Sequence, residues 1–331
     1  MIVVLCGGTG AARLARGLVK AVPPKKLVFI GNVGDNIELY GLSICPDLDT
    51  VMYALSGLLD DQRGWGLSGE TFRCLERLRA HSGDAWFGLG DLDLATHMLR
   101  TAGLKEGASL SEVTRELALI HGLKSRLIPS TDVWVETHIL THEREDLHYE
   151  EFFIKYACEP SVQRVAYRSI QNASPAPGVL EAITQSSAVV LSPSNPLASI
   201  LPIVNVPGIK EALVKNRHKV WAISPMIENA PLPKSELRRQ RSREGLLKSL
   251  GLAHTPLAVA GLYREFASRF VLDTRDFAYQ EPIEALGYEV LSLPTDALTP
   301  ERQNALAESL LQAINNRTGT SQGFQRAILA S

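Results

Sequence analysis

The sequence predicts an α/β protein with a Rossmann-like three-layer fold, a parallel sheet and an inserted lobe of helices and a β-hairpin. Three observations predict this class. An uncharged apolar run at residues 2–6 breaks into a glycine-rich turn and continues with helical spacing, as a buried strand turning into a helix does. A second uncharged run at 188–191 is typical of a strand buried on both faces of a parallel sheet. Between them lie helical and then β-rich patterns.

Length and composition predict a soluble protein of the cytoplasm. A chain of 331 residues can bury a large core, in one α/β domain or two smaller ones. The net charge of -2 gives no basic excess, so we expect no nucleic-acid partner. The 4 cysteines form no C-x-x-C pair, so neither a zinc site nor a disulfide framework is indicated. Because no apolar run approaches the roughly 20 residues of a membrane span, and no signal-peptide pattern is present, we expect no membrane partner.

The glycine-rich turn Gly7-Gly8-Thr9-Gly10 is the first candidate binding site. Glycines leave no Cβ between backbone and ligand, so the amides that open the next helix can point at an anion. The alternative is a turn that needs glycine for steric reasons alone. A dinucleotide fingerprint is excluded, because Arg13 replaces its third glycine and the second predicted strand ends in Gly31-Asn32 without a ribose-binding acid. A Walker-type loop is excluded because no Gly-Lys-Ser/Thr closes the turn.

Two acids fall in the first turn of a helix predicted to begin at Pro46. Capping and dipole compensation are the commonest roles of aspartate there, but Asp47 and Asp49 at i, i+2 cannot both be caps. The loop leaves the carboxyl end of a strand, where ligands bind in open α/β sheets. Carboxylates facing a phosphate need a hard cation between them, and Mg²⁺ usually takes one or two carboxylates plus phosphate oxygens. The sequence therefore predicts a bound Mg²⁺.

The remaining elements divide the chain into a core and an insertion. Residues 1–55 and 175–331 are predicted to form the nucleotide-binding core, and 56–174 the inserted lobe. Three-to-four spacing predicts helices over 68–78, 94–101 and 111–121. The β-rich segments are 123–129, 133–140, 147–156 and 163–167. A helix over 180–185 and a closing helix from Pro300 frame further strands at 188–191, 219–224, 257–261, 269–272 and 288–291.

Three more polar segments are candidate ligand contacts. Asp91 follows two glycines and precedes a helix, where capping is the alternative. His148 pairs a hydrogen-bonding ring with the neighbouring Tyr149. Ser194 and Asn195 lie between two prolines at a strand end, where they form either a plain turn or a rigid polar lip over a ligand. The arginine-rich segment 234–248 is either a solvated helix face or the source of an arginine for a nucleotide phosphate.

Five ordered motifs resemble the 2-phospho-L-lactate transferase family of deazaflavin coenzyme biosynthesis, and the likeness runs nearly end to end. They are Gly7-Gly8-Thr9-Gly10, Cys45-Pro46-Asp47-Leu48-Asp49-Thr50, Gly90-Asp91-Leu92-Asp93, Pro129-Ser130-Thr131-Asp132 and Pro193-Ser194-Asn195-Pro196. The resemblance implies a magnesium-dependent transfer. The terminal ribityl hydroxyl of the deazaflavin Fo attacks the diphosphate of a guanosine-activated phosphoacid, GMP leaves, and the product is coenzyme F-420 without its glutamates.

The resemblance also implies roles for individual residues. Nucleotide and phosphate contacts fall on Gly8, Thr9, Gly10, Arg13 and Asn32. Asp47 and Asp49 become the metal ligands and catalytic carboxylates, one of them orienting or deprotonating the attacking hydroxyl, so Asp49→Asn is expected to abolish turnover while leaving the fold intact. The acceptor contacts are Asp91, His148, Ser194 and Asn195.

Departures from the family pattern leave the donor and the assembly open. Arg13 replaces a lysine, Leu92 replaces an arginine, and the arginine-rich stretch displaces a glycine-proline-alanine segment near residue 234. Phospholactate, phosphoenolpyruvate and 3-phosphoglycerate remain candidate donors, and Ser130, a hydroxyl in place of a thioether, suggests the more polar phosphoglycerate. For the assembly in solution, a homodimer is a candidate. The alternative function is a non-catalytic nucleotide-sugar-binding regulator, a related family that shares the glycine turn.

Overall fold

The computed structural model describes residues 1–144, 146–228 and 230–318. Its strands are β1 (Ile2–Cys6), β2 (Leu27–Gly31), β3 (Ile37–Leu39), β4 (Leu42–Ile44), β5 (Arg126–Pro129), β6 (Glu136–Thr141), β7 (Leu147–His148), β8 (Val162–Arg168), β9 (Ala188–Leu191), β10 (Val220–Ile223), β11 (Arg269–Asp273) and β12 (Glu289–Leu293). Its α-helices are α1 (Gly8–Ala21), α2 (Pro46–Ser56), α3 (Arg73–Ser82), α4 (Asp91–Lys105), α5 (Leu110–Ile120), α6 (Val179–Gln185), α7 (Leu201–Val204), α8 (Ile209–Lys215), α9 (Lys234–Lys248), α10 (Pro256–Tyr263), α11 (Gln280–Glu284) and α12 (Pro300–Thr318).

A parallel sheet forms the centre of the molecule. In the described part of the chain it has 7 strands in the order β12-β11-β10-β9-β1-β2-β5. The chain runs from β1 outward through β2 to β5 and then returns to β9 on the other side of β1, so the strand order reverses between β1 and β9. Both strands are fully buried, as uncharged apolar strands between helical layers must be. The predicted α/β class is confirmed.

Two smaller antiparallel sheets lie outside the parallel one. The first pairs β3 with β4, and the second has the order β7-β6-β8. The predicted boundary of the inserted lobe, 56–174, does not follow this arrangement, because β5 lies inside it and yet pairs in parallel with β2. Helices α3, α4 and α5 therefore connect β2 to β5, and the β7-β6-β8 sheet is a separate excursion after β5.

Two predicted strands are wrong. Segment 257–261 belongs to the helix α10, which Pro256 opens and whose first turn Thr255 caps by accepting a hydrogen bond from Ala258 N at 3.2 Å. The Thr-Pro pair is a helix-start signal that the apolar run obscured. Segment 147–156 is a strand only at β7, and a π-helical turn, Glu151–Lys155, follows it.

No single helix within residues 1–144, 146–228 and 230–318 is long and apolar enough to cross a bilayer. The segments Pro196–Val204 and Ile209–Lys215 reach that length and composition only as a pair bent by 85°.

Candidate active site

A cavity of about 570 Å³ opens where the strand order reverses, at the carboxyl ends of β1 and β9. The glycine turn, the first turn of α2, the loop after β9 and helix α9 all contribute to its wall. The glycine turn and the β9 loop are in close contact, because a Cβ on Gly10 would lie 2.2 Å from the carbonyl oxygen of Pro193. Reversal points of this kind are the usual ligand sites of open α/β sheets.

The glycine turn serves both a steric and a binding purpose. Gly8 has a φ of +63°, and a Cβ on Gly7 would lie 2.3 Å from Oδ2 of Asp47. Glycine is therefore required because the Asp47 carboxylate lies directly against the turn. Helix α1 also begins without a side-chain cap and without an acid in its first turn, so its leading amides can bind an anion.

Asp47 belongs to a group of buried carboxyl side chains, which we call the carboxylate cluster: Asp35, Asp47 and Glu150. All three line the cavity and are at most 8% exposed. Burial raises the pKa of Asp35 well above its usual range, and the charges of Asp47 and Glu150 add to the effect. Burial and the charge of Asp47 raise the pKa of Glu150 to about 8. The cluster therefore carries closely spaced acids whose ionised forms repel one another.

Asp49 has the opposite environment. Both of its oxygens accept hydrogen bonds from the guanidinium of Arg100, which is itself 1% exposed, with Arg100 Nη1 at 3.0 Å from Oδ2. His97 Nδ1 lies 3.6 Å from the same oxygen, while its Nε2 lies 3.5 Å from Asp93. Tyr53 donates a 2.6 Å hydrogen bond to Asp93. The charge of Asp49 is thus matched within the protein.

An arginine cluster on helix α9 and on α1 lines the cavity, and part of it contacts the glycine turn. Arg13 pairs with Glu236 at 2.7 Å, and Arg239 Nη1 lies 3.2 Å from the same oxygen. Arg239 Nη2 donates to Thr9 Oγ1 at 2.8 Å, at the start of α1. Arg243 is 8% exposed and also lines the cavity. Three guanidinium groups against one carboxylate leave this wall positive, so the arginine-rich segment is not only a solvated helix face.

Two of the predicted contacts lie behind the cavity wall. Asn32 is fully buried and donates to Asp47 Oδ2 at 2.9 Å, while its own oxygen accepts from Gly34 N. His148 Nδ1 accepts from Glu150 N at 3.1 Å, which leaves Nε2 to donate to Asn36 O at 3.0 Å. Burial lowers the pKa of His148 to about 4, so the ring is neutral. Both residues are placed to position cluster carboxylates rather than to contact a ligand.

The loop after β9 lines the cavity but its polar groups are already engaged. Ser194 Oγ donates to Gly7 O at 2.5 Å, which fastens the loop to the glycine turn. Asn195 Oδ1 accepts from the backbone of Leu197 and Ala198, and its Nδ2 donates to Ser242 Oγ at 3.2 Å. The loop is therefore both a turn capped by Asn195 and a rigid edge of the cavity.

Asp91 and Ser130 lie outside the described lining of the cavity. Asp91 is half-buried and caps the neighbouring helix α3, accepting a hydrogen bond from Cys74 N at 3.0 Å. Glu70, just before α3, in turn accepts a hydrogen bond from Asp93 N at the start of α4. Ser130 is fully buried behind the edge of the sheet, which removes the basis for a direct contact with the donor.

The opposite wall of the cavity is apolar and aromatic. Trp65, Phe87 and Ile154 line it, and the rings of Tyr149 and Phe153 are stacked with centroids 5.7 Å apart. Flat apolar surfaces of this kind accommodate conjugated ring systems by stacking. Sequence periodicity did not find this wall, because its residues come from separate loops and from the π-helical turn Glu151–Lys155.

Sequence reasoning also missed Asp35, Glu150 and Arg100. Asp35 had a usable signal, because it follows β2 at the same sheet edge as the glycine turn. Arg100 had a weaker one, since Asp93, His97 and Arg100 share one face of α4 by helical spacing. No signal marks Glu150.

The chemistry of the carboxylate cluster fits a divalent cation. Asp35 Oδ1 is buried without a hydrogen-bond partner among the described residues. Carboxylates that repel one another next to an anion-binding turn are stabilised by a hard cation between them. Within the described ranges, no group of three or more His, Cys, Asp or Glu side chains is placed to hold a metal ion, so an ion here needs ligands from the substrate. The cluster therefore suits Mg²⁺ completed by substrate oxygens, and Asp49, held by Arg100, is not well placed to join it.

Comparisons with known proteins agree with this architecture. A family model described as 2-phospho-L-lactate transferase CofD matches residues 2–256. A phosphoenolpyruvate transferase of Streptomyces griseus subsp. griseus is 39% identical over 316 residues, covering 94% of this chain and 97% of that protein. A 2-phospho-L-lactate transferase of Methanosarcina mazei is 35% identical over 312 residues, covering 94% and 100%.

A solved structure shows the same fold. The crystal structure of a UPF0052 family member from Bacillus halodurans matches with a TM-score of 0.63 and 17% identity, over 94% of this chain and 98% of that one. At this identity the likeness concerns the fold alone. The family model and the two transferases carry the assignment: the chain belongs to the 2-phospho-L-lactate transferase CofD family.

Proposed function

We propose that the protein transfers a phosphoacid group from a GDP-activated donor to the terminal ribityl hydroxyl of the deazaflavin Fo, releasing GMP, in coenzyme F-420 biosynthesis. The observation that carries the proposal is the presence, in one cavity, of a glycine turn, a carboxylate cluster and an arginine cluster. Together these groups provide what a phosphoryl-type transfer needs, which is mainly positioning and charge stabilisation.

The diphosphate of the donor is assigned to the glycine turn. The leading amides of α1, at Gly8, Thr9 and Gly10, supply hydrogen-bond donors, and Arg13 and Arg239 supply positive charge beside them. Glu236 holds both guanidinium groups in place. Arg13→Ala should therefore weaken GDP binding, and unchanged binding would place Arg13 outside the phosphate site.

Asp47, with at most one further carboxylate of the cluster, is proposed to bind Mg²⁺ together with oxygens of this diphosphate. When bound, the ion would neutralise phosphate charge and increase the electrophilicity of the phosphorus. The residues behind the cluster keep it in position, because Asn32 donates to Asp47 and His148 accepts from the backbone of Glu150.

The transfer itself is a single substitution at the β-phosphorus. The ribityl oxygen forms a bond to that phosphorus, the bond to the bridging oxygen breaks, and GMP leaves with that oxygen. The hydroxyl proton passes to a carboxylate, for which Asp47 is proposed because it lies closest to the glycine turn. The aromatic wall with Trp65 and Phe87 is proposed to hold the deazaflavin ring.

The relatives limit the choice of phosphoacid without deciding it. The Streptomyces griseus relative is named a phosphoenolpyruvate transferase and the Methanosarcina mazei relative a 2-phospho-L-lactate transferase. Phosphoglycerate stays a third candidate from the sequence, although Ser130 no longer supports it.

Product mass provides the direct test. The protein is incubated with Fo, Mg²⁺ and each of the three GDP-linked donors in parallel, and the products are weighed by mass spectrometry. One dominant Fo adduct together with GMP is expected. The absence of any adduct would overturn the proposal, and a rise in unfolding temperature with a UDP-sugar but not with Fo would support the regulator instead.

We further propose that the protein works in the cytoplasm as a homodimer. Exposed apolar side chains on α4 and α5 support a self-association surface: Met98 (56% exposed), Leu99 (52%), Leu119 (69%) and Ile120 (64%). The cysteines within the described ranges are unpaired, which fits a reducing compartment. Analytical ultracentrifugation should give twice the chain mass, and a monomer at micromolar concentration would contradict the dimer.

A further inference from the structure

Arg243 is a buried guanidinium for which residues 1–144, 146–228 and 230–318 provide no hydrogen-bond or ion-pair partner. The residue is 8% exposed, and its Nε is buried without an acceptor. Burial lowers the pKa of Arg243 to about 10, so the side chain stays charged at neutral pH. An unpaired buried charge is strongly unfavourable. The side chain lines the cavity, so an anionic ligand can provide the missing partner.

Arg243 is separate from the arginines that serve the glycine turn. Arg239 contacts Thr9, and Arg13 is paired with Glu236. Arg243 follows Arg239 by four residues, so it lies about one helical turn, roughly 6 Å, further along α9. It makes no described contact with the glycine turn. A ligand whose diphosphate lies on the turn would therefore reach Arg243 with a second anionic group.

His254 adds a second unpaired donor at the same place. Its Nε2 is buried with no partner in the described chain, and the side chain lines the cavity. Burial and the neighbouring charge of Arg243 lower the pKa of His254 to about 4, so the ring is neutral and has one N–H to donate. Arg243 and His254 both line the cavity and lie near enough for the charge of Arg243 to act on the ring.

A guanidinium matches the two oxygens of a carboxylate with parallel hydrogen bonds. Phospholactate, phosphoenolpyruvate and phosphoglycerate all carry a carboxylate in addition to the phosphate. We propose that Arg243, assisted by His254, binds the carboxylate of the donor's phosphoacid half, while the glycine turn, Arg13 and Arg239 bind its diphosphate. This inference rests on the proposed function and deepens it, because it divides the donor site into two anion subsites.

The proposal separates two properties of the donor. A carboxylate-binding Arg243 selects for phosphoacids over uncharged esters of GDP, and it does so equally for the three candidate acids. It leaves the affinity for GDP itself unchanged. An arginine that served the diphosphate would instead affect every GDP ligand.

Calorimetry without Fo tests this, because no transfer occurs when the acceptor is absent. Three ligands are compared in Mg²⁺: lactyl-diphosphoguanosine, its ethyl analogue without the carboxylate, and GDP. Wild type should bind the lactyl ester about tenfold or more tightly than the ethyl ester, as expected for a charge-assisted hydrogen-bonded pair. Arg243→Gln should remove that preference and keep the ethyl ester and GDP affinities.

The controls address folding and general charge. Arg241→Gln removes an exposed arginine of the same helix and should behave as wild type. Arg243→Lys keeps the charge without the paired donors and should retain only part of the preference, about threefold. Thermal unfolding followed by circular dichroism confirms that each variant is folded.

The outcomes distinguish a failure of the carboxylate subsite from a failure of the proposed function. An unchanged preference in Arg243→Gln, or an equal loss for all three ligands, would overturn the carboxylate subsite. Equal wild-type affinity for both esters would overturn it while leaving the proposed function standing. Failure of wild type to bind any of the three ligands would remove the proposed function, and the subsite with it.

Discussion

Asp47 and Asp49 lie two residues apart in the first turn of one helix, both line the same cavity, and both are buried, yet their surroundings are opposite. Asp49 faces the buried guanidinium of Arg100, with two hydrogen bonds between them. Asp47 faces further carboxyl groups, Asp35 and Glu150. Burial and position in a motif therefore do not assign the role of a carboxylate, whereas the groups that it contacts do.

The two aspartates are expected to contribute differently to the stability of the fold. The Asp49 side is a matched network in which removal of one partner leaves another charge buried and unpaired. Asp47 accepts a hydrogen bond from Asn32 but has no ion-pair partner among the described residues, and the neighbouring acids repel its charge, so a neutral substitution there relieves repulsion. Function and stability should therefore separate between the two aspartates, and four changes test that separation.

Asp47→Asn should have the largest effect on turnover. We expect the rate of product formation to fall by about 10³-fold, because the cation loses a ligand and the attacking hydroxyl loses its proton acceptor. The unfolding free energy should stay equal or rise slightly, since one repelling charge is gone. Product mass and urea unfolding measure the two quantities, with exposed Glu116→Gln as the control. Near-normal turnover would remove Asp47 from the reacting centre.

Asp49→Asn should have the largest effect on stability. The unfolding free energy should drop by about 3–5 kcal/mol, because Arg100 is left buried without its carboxylate. Adding Arg100→Met should restore a large part of that loss. A variant as stable as wild type but inactive would instead support the sequence-based expectation that Asp49 is catalytic.

Glu150→Gln should change how the stability of the metal-free protein depends on pH. The pKa of Glu150 is raised to about 8, whereas the unfolded chain ionises it at about 4.3. Between these values the folded state keeps a proton that the unfolded state releases, so the unfolding free energy falls as the pH rises.

The stability advantage of the variant over wild type should therefore be about 3–4 kcal/mol larger at pH 8 than at pH 5. Urea unfolding in EDTA at both pH values measures the gap. An equal difference in unfolding free energy at the two pH values would mean that Glu150 is ionised at both. The neighbouring carboxylates would then not raise its pKa.

Tyr53→Phe should have the smallest effect. Its hydroxyl donates a hydrogen bond to Asp93 at 2.6 Å. Asp93 is connected to Asp49 only through His97. Loss of one hydrogen bond to a charged group should lower the unfolding free energy by about 1.5 kcal/mol. Differential scanning calorimetry measures this. A decrease in unfolding free energy as large as that of Asp49→Asn would show that the hydrogen bond to Asp93 contributes as much to stability as the Asp49–Arg100 pair.

The local parts of the fold and site were predictable from the sequence. The apolar runs at β1 and β9 and the glycine turn are short-range patterns, which neighbouring residues in the sequence define without any long-range partner. The position of Asp47 at the sheet edge followed from the same reasoning. Arg239 and Arg243 were within a segment recognised as unusually basic.

Long-range partners were not predictable in this way. Arg100 is 51 residues from Asp49 in the chain and Glu150 comes from a turn after β7, so no spacing rule connects them to the site. His148 and Asn32 were predicted as ligand contacts, yet they are placed behind the cluster. Polar residues near a site are equally suited to touching a ligand or to supporting a neighbour, and only the fold distinguishes these roles. The strand predicted at 257–261 is wrong because a short apolar run has the same composition in a partly buried helix and in a buried strand.

Magnesium titration of the GDP-saturated protein tests the central claim most directly. Wild type and Asp49→Asn, the latter with Arg100→Met where it needs stabilising, should bind Mg²⁺ with similar affinity in calorimetry. Asp47→Asn should lose at least about tenfold in affinity. Loss of Mg²⁺ binding in Asp49→Asn together with its retention in Asp47→Asn would contradict the account and return the metal to Asp49.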